Sequence, residues 1–367
     1  DNVLPAHQGR ACENILAERF VKPGMVAIMN FHFTTTKAHV TRCGGEVVEV
    51  LHKKGLIPQS DDPFKGDMDL QELRRVIEQY TPEKVAYVRV EAGTNLIGGQ
   101  PVSLENMLAV ADICHEYGVP SVLDASLLQD NIYFMKTREA QCKYMTPKEI
   151  YHLLAGKMDI IYFSARKLSF ARGGAIISHN TDLIKSMMEY IPLFEGFLTY
   201  GGLNGRDMDA LAVGLDENTE LDNIETRIKQ VQYLAAKLDE YGIPYQRPVG
   251  GHAIFVDADR VLTNVPKEEF PAQMLAIELY LEAGVRGCEI GYILADRDPV
   301  TRENRFGGLD LLRLCIARRV YTNNHMDVIA AALKNVYDRR NEIKHGVRIT
   351  WETELMRHFT VHLEPIK

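Results

Sequence analysis

The sequence predicts an α/β fold, with a large domain on a mixed sheet followed by a small C-terminal α+β domain. Three observations carry this. Strand-length apolar runs at residues 24–30, 84–90, 120–123 and 160–163 alternate with stretches of helical periodicity. That alternation, with right-handed crossovers, gives a largely parallel sheet covered on both faces. At 367 residues the chain also exceeds one ordinary core, and its texture changes near residue 224. The expected domains are therefore 1–223 and 224–367.

Taken in order, His7-Gln8-Gly9-Arg10 runs into a helix over 11–20, and residues 24–30 form a strand. Asp69 starts a helix, with Glu72 completing a capping box and Leu73, Val76 and Ile77 on one face. A strand follows at 84–90. Ser103 caps a helix with Leu104, Met107, Leu108 and Ala111 inward, closed by Gly118. The run 120–123 ends on Asp124. The run 160–163 leads to a loop carrying Lys167, and a further strand opens on Gly173-Gly174. Beyond 224 a helix carries Ile224, Ile228, Val231, Leu234 and Leu238 and stops at Gly242. A strand at 252–257, a helix at 270–283, a strand at 312–316 and a helix through Met326, Ile329, Leu333 and Val336 complete the second unit.

Composition narrows the function. With 46% hydrophobic and 25% charged residues the chain reads as an ordinary globular protein. A net charge of −8 argues against nucleic acid or an anionic membrane as the main partner. Six scattered cysteines without a CxxC pair point to reduced thiols and a cytoplasmic setting. There is no apolar run of membrane-spanning length and no signal peptide. The chain opens at Asp1 without an initiator Met, so upstream residues are expected to be missing. His7, His32 and His39 lack ligand spacing, and no metal is expected.

Several residues carry possible chemistry. A carboxylate at one strand end, Asp124, and a lysine after a later strand, Lys167, suit pyridoxal 5'-phosphate. That cofactor needs a lysine for its Schiff base and a carboxylate to keep its ring nitrogen protonated. The pairing alone leaves other α/β readings open. Gly9 and Arg10 at a helix start read as a phosphate cradle or as a plain helix start. Phe33 after the first strand reads as a stacking ring or as core. Asn95 reads as a donor into a site or as a turn cap. Arg313, inside an apolar strand, must find an anion, either a structural carboxylate or a substrate's. Arg318-Arg319 reads as a solvated pair.

Together these pieces resemble the β-eliminating lyases that depend on pyridoxal phosphate, the family of tryptophanase and tyrosine phenol-lyase. The resemblance runs over essentially the whole chain. It rests on Pro5-Ala6-His7-Gln8-Gly9-Arg10, Phe33-Thr34-Thr35-Thr36, Gly98-Gly99-Gln100-Pro101-Val102-Ser103, Asn131-Ile132-Tyr133-Phe134, Ser164-Ala165-Arg166-Lys167, Tyr200-Gly201-Gly202-Leu203, Gly250-Gly251-His252-Ala253, and residues 313–321 followed by His325-Met326-Asp327. It implies a fold-type-I, aminotransferase-like architecture and the following roles. Lys167 is the Schiff-base lysine, Asp124 the partner of the pyridine nitrogen, and Phe33 the stacking aromatic. Gln8, Gly9, Arg10 and Ser164 hold the phosphate. Asn95 lies near the cofactor's phenolic oxygen and the substrate carboxylate, and Arg313 clamps that carboxylate. The activity implied is β-elimination from an aromatic amino acid, tryptophanase-like, giving pyruvate, ammonia and the arene. The enzyme implied is a homo-oligomer, dimer or tetramer.

The chain departs from the family in places. Leu127 stands where both named enzymes carry Arg near the cofactor's phenolic oxygen. Arg172 is either a replacement cation or a surface residue. Ile290 stands where tyrosine phenol-lyase has a phenol-reading Arg, and His358 where tryptophanase has His. Both favour an indole-like substrate, whereas Thr34 matches the phenol-lyase. The family's segment ahead of His7, with a catalytic Tyr and part of a monovalent-cation site, is absent, so the residues present do not support that cation. Elimination from cysteine, tyrosine or another β-substituted amino acid is the alternative, and an inactive relative is a third reading.

Overall fold

A computed structural model describes residues 2–298, 301–306 and 308–366. The chain divides into two compact units. The first holds the chain up to Gly55, Pro63–Asn95 and Gln100–Glu225. The second holds Leu56–Asp62, Leu96–Gly99 and the chain from Thr226 onward.

Unit 1 is built on seven strands: β1 (Val3–Ala6), β2 (Val26–Met29), β3 (Glu46–Glu49), β4 (Val85–Glu91), β5 (Ser121–Asp124), β6 (Ile160–Ser164) and β7 (Gly174–Ile177). Their spatial order is β1-β7-β6-β5-β4-β2-β3. The pairs β2/β3, β2/β4, β4/β5 and β5/β6 are parallel, while β6/β7 and β1/β7 are antiparallel. The sheet is thus mixed, and the parallel part lies in its middle. Every residue of β2, β4 and β5 is buried, as expected of strands covered on both faces. One apolar cluster includes Val88, Leu123, Met107 and Leu154; another includes Ala27, Ile15, Ile176 and Tyr162.

Local chemistry explains most of the elements. Ser103 accepts from Asn106 N at the start of Leu104–Tyr117, and Gly118 closes that helix at φ +68°. The helix at Asp69 differs from expectation. Asp69 does cap it, accepting from the Gln71 and Glu72 amides, but no capping box forms. The Glu72 carboxylate instead takes two hydrogen bonds from Arg75, three residues on. Lys167 also differs, because the expected loop is a short helical turn, Ala165–Leu168.

Unit 2 carries the antiparallel sheet β8-β10-β9, from β8 (Ala253–Asp257), β9 (Cys288–Ile290) and β10 (Leu311–Cys315). A hairpin of β11 (Val347–Trp351) and β12 (His362–Pro365) follows. Helices Pro271–Ala283 and Asn323–Asp338 give Leu275, Leu279, Met326 and Leu333 to its core, with Leu312 and Leu314 of β10. Residues 56–62 and 96–99 join this unit. Arg247 N donates to Pro58 O at 2.7 Å, and a Cβ on Gly250 would lie 2.3 Å from Gly98 O. Arg318, expected to be solvated, is buried.

Candidate active site

In unit 1 the carboxyl ends of the parallel strands present Asn30 after β2, Glu91 on β4, Asp124 on β5 and Ser164 on β6. Open α/β sheets bind ligands at this edge. Asn30 is fully buried and ties two strand ends together. Its side chain donates to Glu91 O, Gly66 O and Thr94 Oγ1, and accepts from Glu91 N at 3.0 Å. Asn95, 3% exposed, opens the next turn, and its backbone hydrogen-bonds the Glu91 carboxylate.

A buried charge network lies among these ends. Arg89, 1% exposed, donates to Asp124 Oδ2 at 2.6 Å and to the Tyr162 hydroxyl at 2.8 Å, and lies 3.6 Å from Glu91 Oε2. The Tyr162 hydroxyl donates to Asp124 Oδ2 at 2.9 Å, and Ser126 N to Asp124 Oδ1 at 2.9 Å. Burial pushes the Asp124 carboxyl up, but Arg89 and Lys167 outweigh it and bring it below the usual range. Burial wins at Glu91, which is pushed up to about 7 against Arg89, and at Glu13, which Thr35 and Thr36 hydrogen-bond. The network therefore keeps one carboxylate ionised, Asp124, and holds two others nearer neutrality.

Lys167 Nζ sits 4.3 Å from the centroid of the Phe33 ring. Its position is fixed through its backbone, since Gln129 Nε2 donates to Lys167 O at 2.8 Å. Alongside lies a tight cradle. Gln8 bridges to Gly173, and a Cβ on Gly9 would come within 2.7 Å of Ser164 Cβ. Gly173 sits at φ +120°, and a Cβ on Gly174 would lie 2.6 Å from Phe163 O. Gly9 opens the helix Gly9–Phe20, whose first turn has no acidic residue and whose cap Gln8 makes no side-chain bond. Such a helix start receives an anion well. Arg10 and Arg172 are exposed, Thr34 is half-buried, and Leu127 is 3% exposed, with a Cβ on Gly93 falling 2.9 Å from its own Cβ.

In unit 2, Arg313 pairs in register with Phe255 and Cys288. Its Nη2 lies 3.5 Å from Cys288 Sγ. His358 Nε2 is 3.4 Å from the same sulfur, and its Nδ1 is 3.3 Å from Glu289 Oε2. Ile290 is 3% exposed.

The family model for β-eliminating lyases matches residues 1–332. The chain belongs to this family. A probable β-eliminating lyase of Trichomonas vaginalis is 52% identical over 368 residues, covering 100% of this chain and 80% of that protein. A tyrosine phenol-lyase of Pasteurella multocida is 41% identical, covering 99% and 79%. Among solved structures, a serine palmitoyltransferase from S. paucimobilis with bound PLP–myriocin superposes with TM-score 0.62 at 13% identity, covering 94% of this chain and 74% of that one. A SepCysS–SepCysE complex superposes at TM-score 0.59 and 15% identity, covering 93% and 82%. Those two likenesses show the fold, that of fold-type-I pyridoxal phosphate enzymes. This lyase depends on pyridoxal phosphate, and unit 1 suits the group: a lysine over an aromatic face, a buried ionised aspartate, and an anion-receiving cradle with no room for a Cβ at Gly9.

Sequence reasoning passed over Arg89, Glu91, Glu13, Tyr162 and Asn30. The available signal was Arg89 and Glu91 inside a seven-residue apolar run, the same argument that singled out Arg313. No helix among the described residues is long and apolar enough to cross a membrane.

Proposed function

We propose that this lyase eliminates the β-substituent of an aromatic amino acid, tryptophan-like first, releasing pyruvate, ammonia and the arene. The observation that supports the aromatic reading is the setting of His358. Burial works against its cation, but contacts to Cys288 and Glu289 lift it to about 9, so it donates at neutral pH. Ile290, apolar and buried, follows Glu289 in the chain where a phenol-reading cation would stand. Apolar surface beside this imidazolium, whose two nitrogens face Glu289 and Cys288, suits an aromatic face.

Bound pyridoxal phosphate supplies the electron sink that acidifies the substrate's Cα proton. Lys167 is assigned the covalent attachment, and its Nζ, freed when the substrate's amine displaces it, would take that proton. Asp124, kept ionised by Arg89, holds the proton on the ring nitrogen. Phe33 covers the ring, and Gln8, Gly9, Arg10 and Ser164 hold the phosphate. Asn95 and Arg313 are assigned the substrate carboxylate, and Thr34, Ile290 and His358 the side chain. We place the enzyme in the cytoplasm as a homo-oligomer, dimer or tetramer.

Thr34 and the phenol-lyase relatives favour tyrosine as a second reading. The test is pyruvate release by cofactor-loaded protein from tryptophan, tyrosine and an S-alkylcysteine. Turnover led by tryptophan is expected. Turnover of the cysteine derivative alone would overturn the aromatic assignment.

A further inference from the structure

Unit 2 holds a carboxylate, an imidazole and a thiol in line. Glu289, 2% exposed, is fixed at both oxygens: Ile293 N donates to Oε1 at 2.9 Å and Leu294 N to Oε2 at 3.2 Å. Its Oε2 lies 3.3 Å from His358 Nδ1, and His358 Nε2 lies 3.4 Å from Cys288 Sγ. Arg313 Nη2 approaches the same sulfur at 3.5 Å from β10. The anchored carboxylate orients the imidazole, and the imidazole's other nitrogen meets the thiol. That is the arrangement that activates a cysteine nucleophile. Both Cys288 and His358 remain partly exposed.

We propose that Cys288 is a nucleophilic cysteine, activated by His358 and Glu289, whose reaction partner is a small hydroperoxide. The sulfur attacks the distal peroxide oxygen, forming the S–O bond as the O–O bond breaks. The sulfur is oxidised to sulfenic acid and the peroxide is reduced. The departing oxygen, hydroxide from hydrogen peroxide or alkoxide from an organic hydroperoxide, takes the His358 proton, leaving water or the alcohol and neutral imidazole. Arg313 adds positive charge beside the sulfur, where the thiolate forms.

The other thiols make the contrast. Burial pushes Cys114 up to about 12 and Cys142 up to about 11, and lifts Cys12 well above the ordinary range. Burial also opposes the Cys288 thiolate, but His358 and Arg313 outweigh it and the Glu289 charge, bringing this thiol down. Behind Glu289, Asp310 is pushed up to about 8 by burial and by Glu289 itself, so it adds little negative charge near neutrality. Nothing here depends on which amino acid the lyase consumes.

The experiment treats the cofactor-loaded protein with iodoacetamide across pH, and separately with hydrogen peroxide plus dimedone, and locates each adduct by peptide mass mapping. Exposed Cys315 is the internal reference. At about pH 6.5 Cys288 should alkylate at least about tenfold faster than Cys315, and its rate should level off at a lower pH than that of Cys315. Dimedone should mark Cys288 first. In His358→Gln the rate near neutrality should fall at least about tenfold. Cys315 reacting first, or a Cys288 rate climbing about tenfold per pH unit in the unaltered protein, would overturn the activation. Fast alkylation with no dimedone adduct would overturn the peroxide assignment. The unaltered protein decides both points even if His358→Gln fails to fold.

Discussion

Arg89→Met removes one guanidinium from the buried network while keeping most of its length. In the native chain that guanidinium donates to Asp124 at 2.6 Å and to Tyr162 at 2.8 Å, with Glu91 3.6 Å away. Charge centres about 4 Å apart at an effective dielectric of about 20 interact by about 4 kcal/mol. Removing one partner of a buried pair costs about 3–5 kcal/mol, because the other charge is stranded. The expected loss at pH 8 is therefore about 4 kcal/mol. The pH dependence follows from the carboxylates. The Asp124 carboxyl is depressed in the folded chain, so its contribution is present above its unfolded value and lost as pH falls through the folded one. Without Arg89 its folded value rises, and protonation relieves the stranded charge as pH drops. The gap between native and variant should thus narrow between pH 8 and pH 6. Urea unfolding of the cofactor-free proteins, followed by circular dichroism at both pH values, measures it. A loss under about 1 kcal/mol at pH 8, or the same loss at pH 6, would refute the reasoning. Arg89→Lys, which keeps the charge but not the paired donors, should fall between the two.

Three further outcomes are expected. Lys167→Ala should abolish borohydride-reducible attachment of the cofactor, and a retained adduct would mean that another lysine carries it. Gly9→Ala puts a methyl 2.7 Å from Ser164 Cβ, so equilibrium dialysis should show cofactor affinity reduced by at least about tenfold with secondary structure intact. Leu127→Arg should lower the pH midpoint of the bound cofactor's visible absorbance, because a cation favours the phenolic oxyanion. An unmoved midpoint, in both the presence and absence of Arg172→Ala, would show that Leu127 does not face the cofactor.

The strands, and with them the places of Asp124 at the end of β5 and Lys167 just after β6, were legible because buried parallel strands read as nearly unbroken apolar runs. The charge network was not legible. Periodicity registers Val85–Glu91 as a strand whether or not Arg89 and Glu91 are paired inside it, and the pairing partners lie on β5, on β6 and on the first helix, far apart in sequence. Glu13 went unremarked because nothing in its own segment shows Thr35 and Thr36 arriving to bond it. The capping box at Asp69 does not form because the Asp69 amide donates to Val50 O at 2.8 Å and Glu72 is taken by Arg75. Arg318 was misread because a charged pair after a strand gives no sign of burial.

The cradle at Gln8 and Gly9 has a consequence for biosynthesis. Its walls come from Ser164 and Gly173-Gly174, and among the described residues β1 pairs with β7 alone, in the register Val3↔Ile177 to Ala6↔Gly174. Loop closure across that separation must precede any reward from the contact, so this corner is among the last parts of the sheet to assemble. While the chain emerges from the ribosome, β1 waits as an unpaired strand until the segment through Ile177 has been made. Nascent chains stalled before that point expose an open edge that invites intermolecular pairing. A protease-protection series on stalled chains should show residues 3–9 becoming resistant only after Ile177 has cleared the exit tunnel.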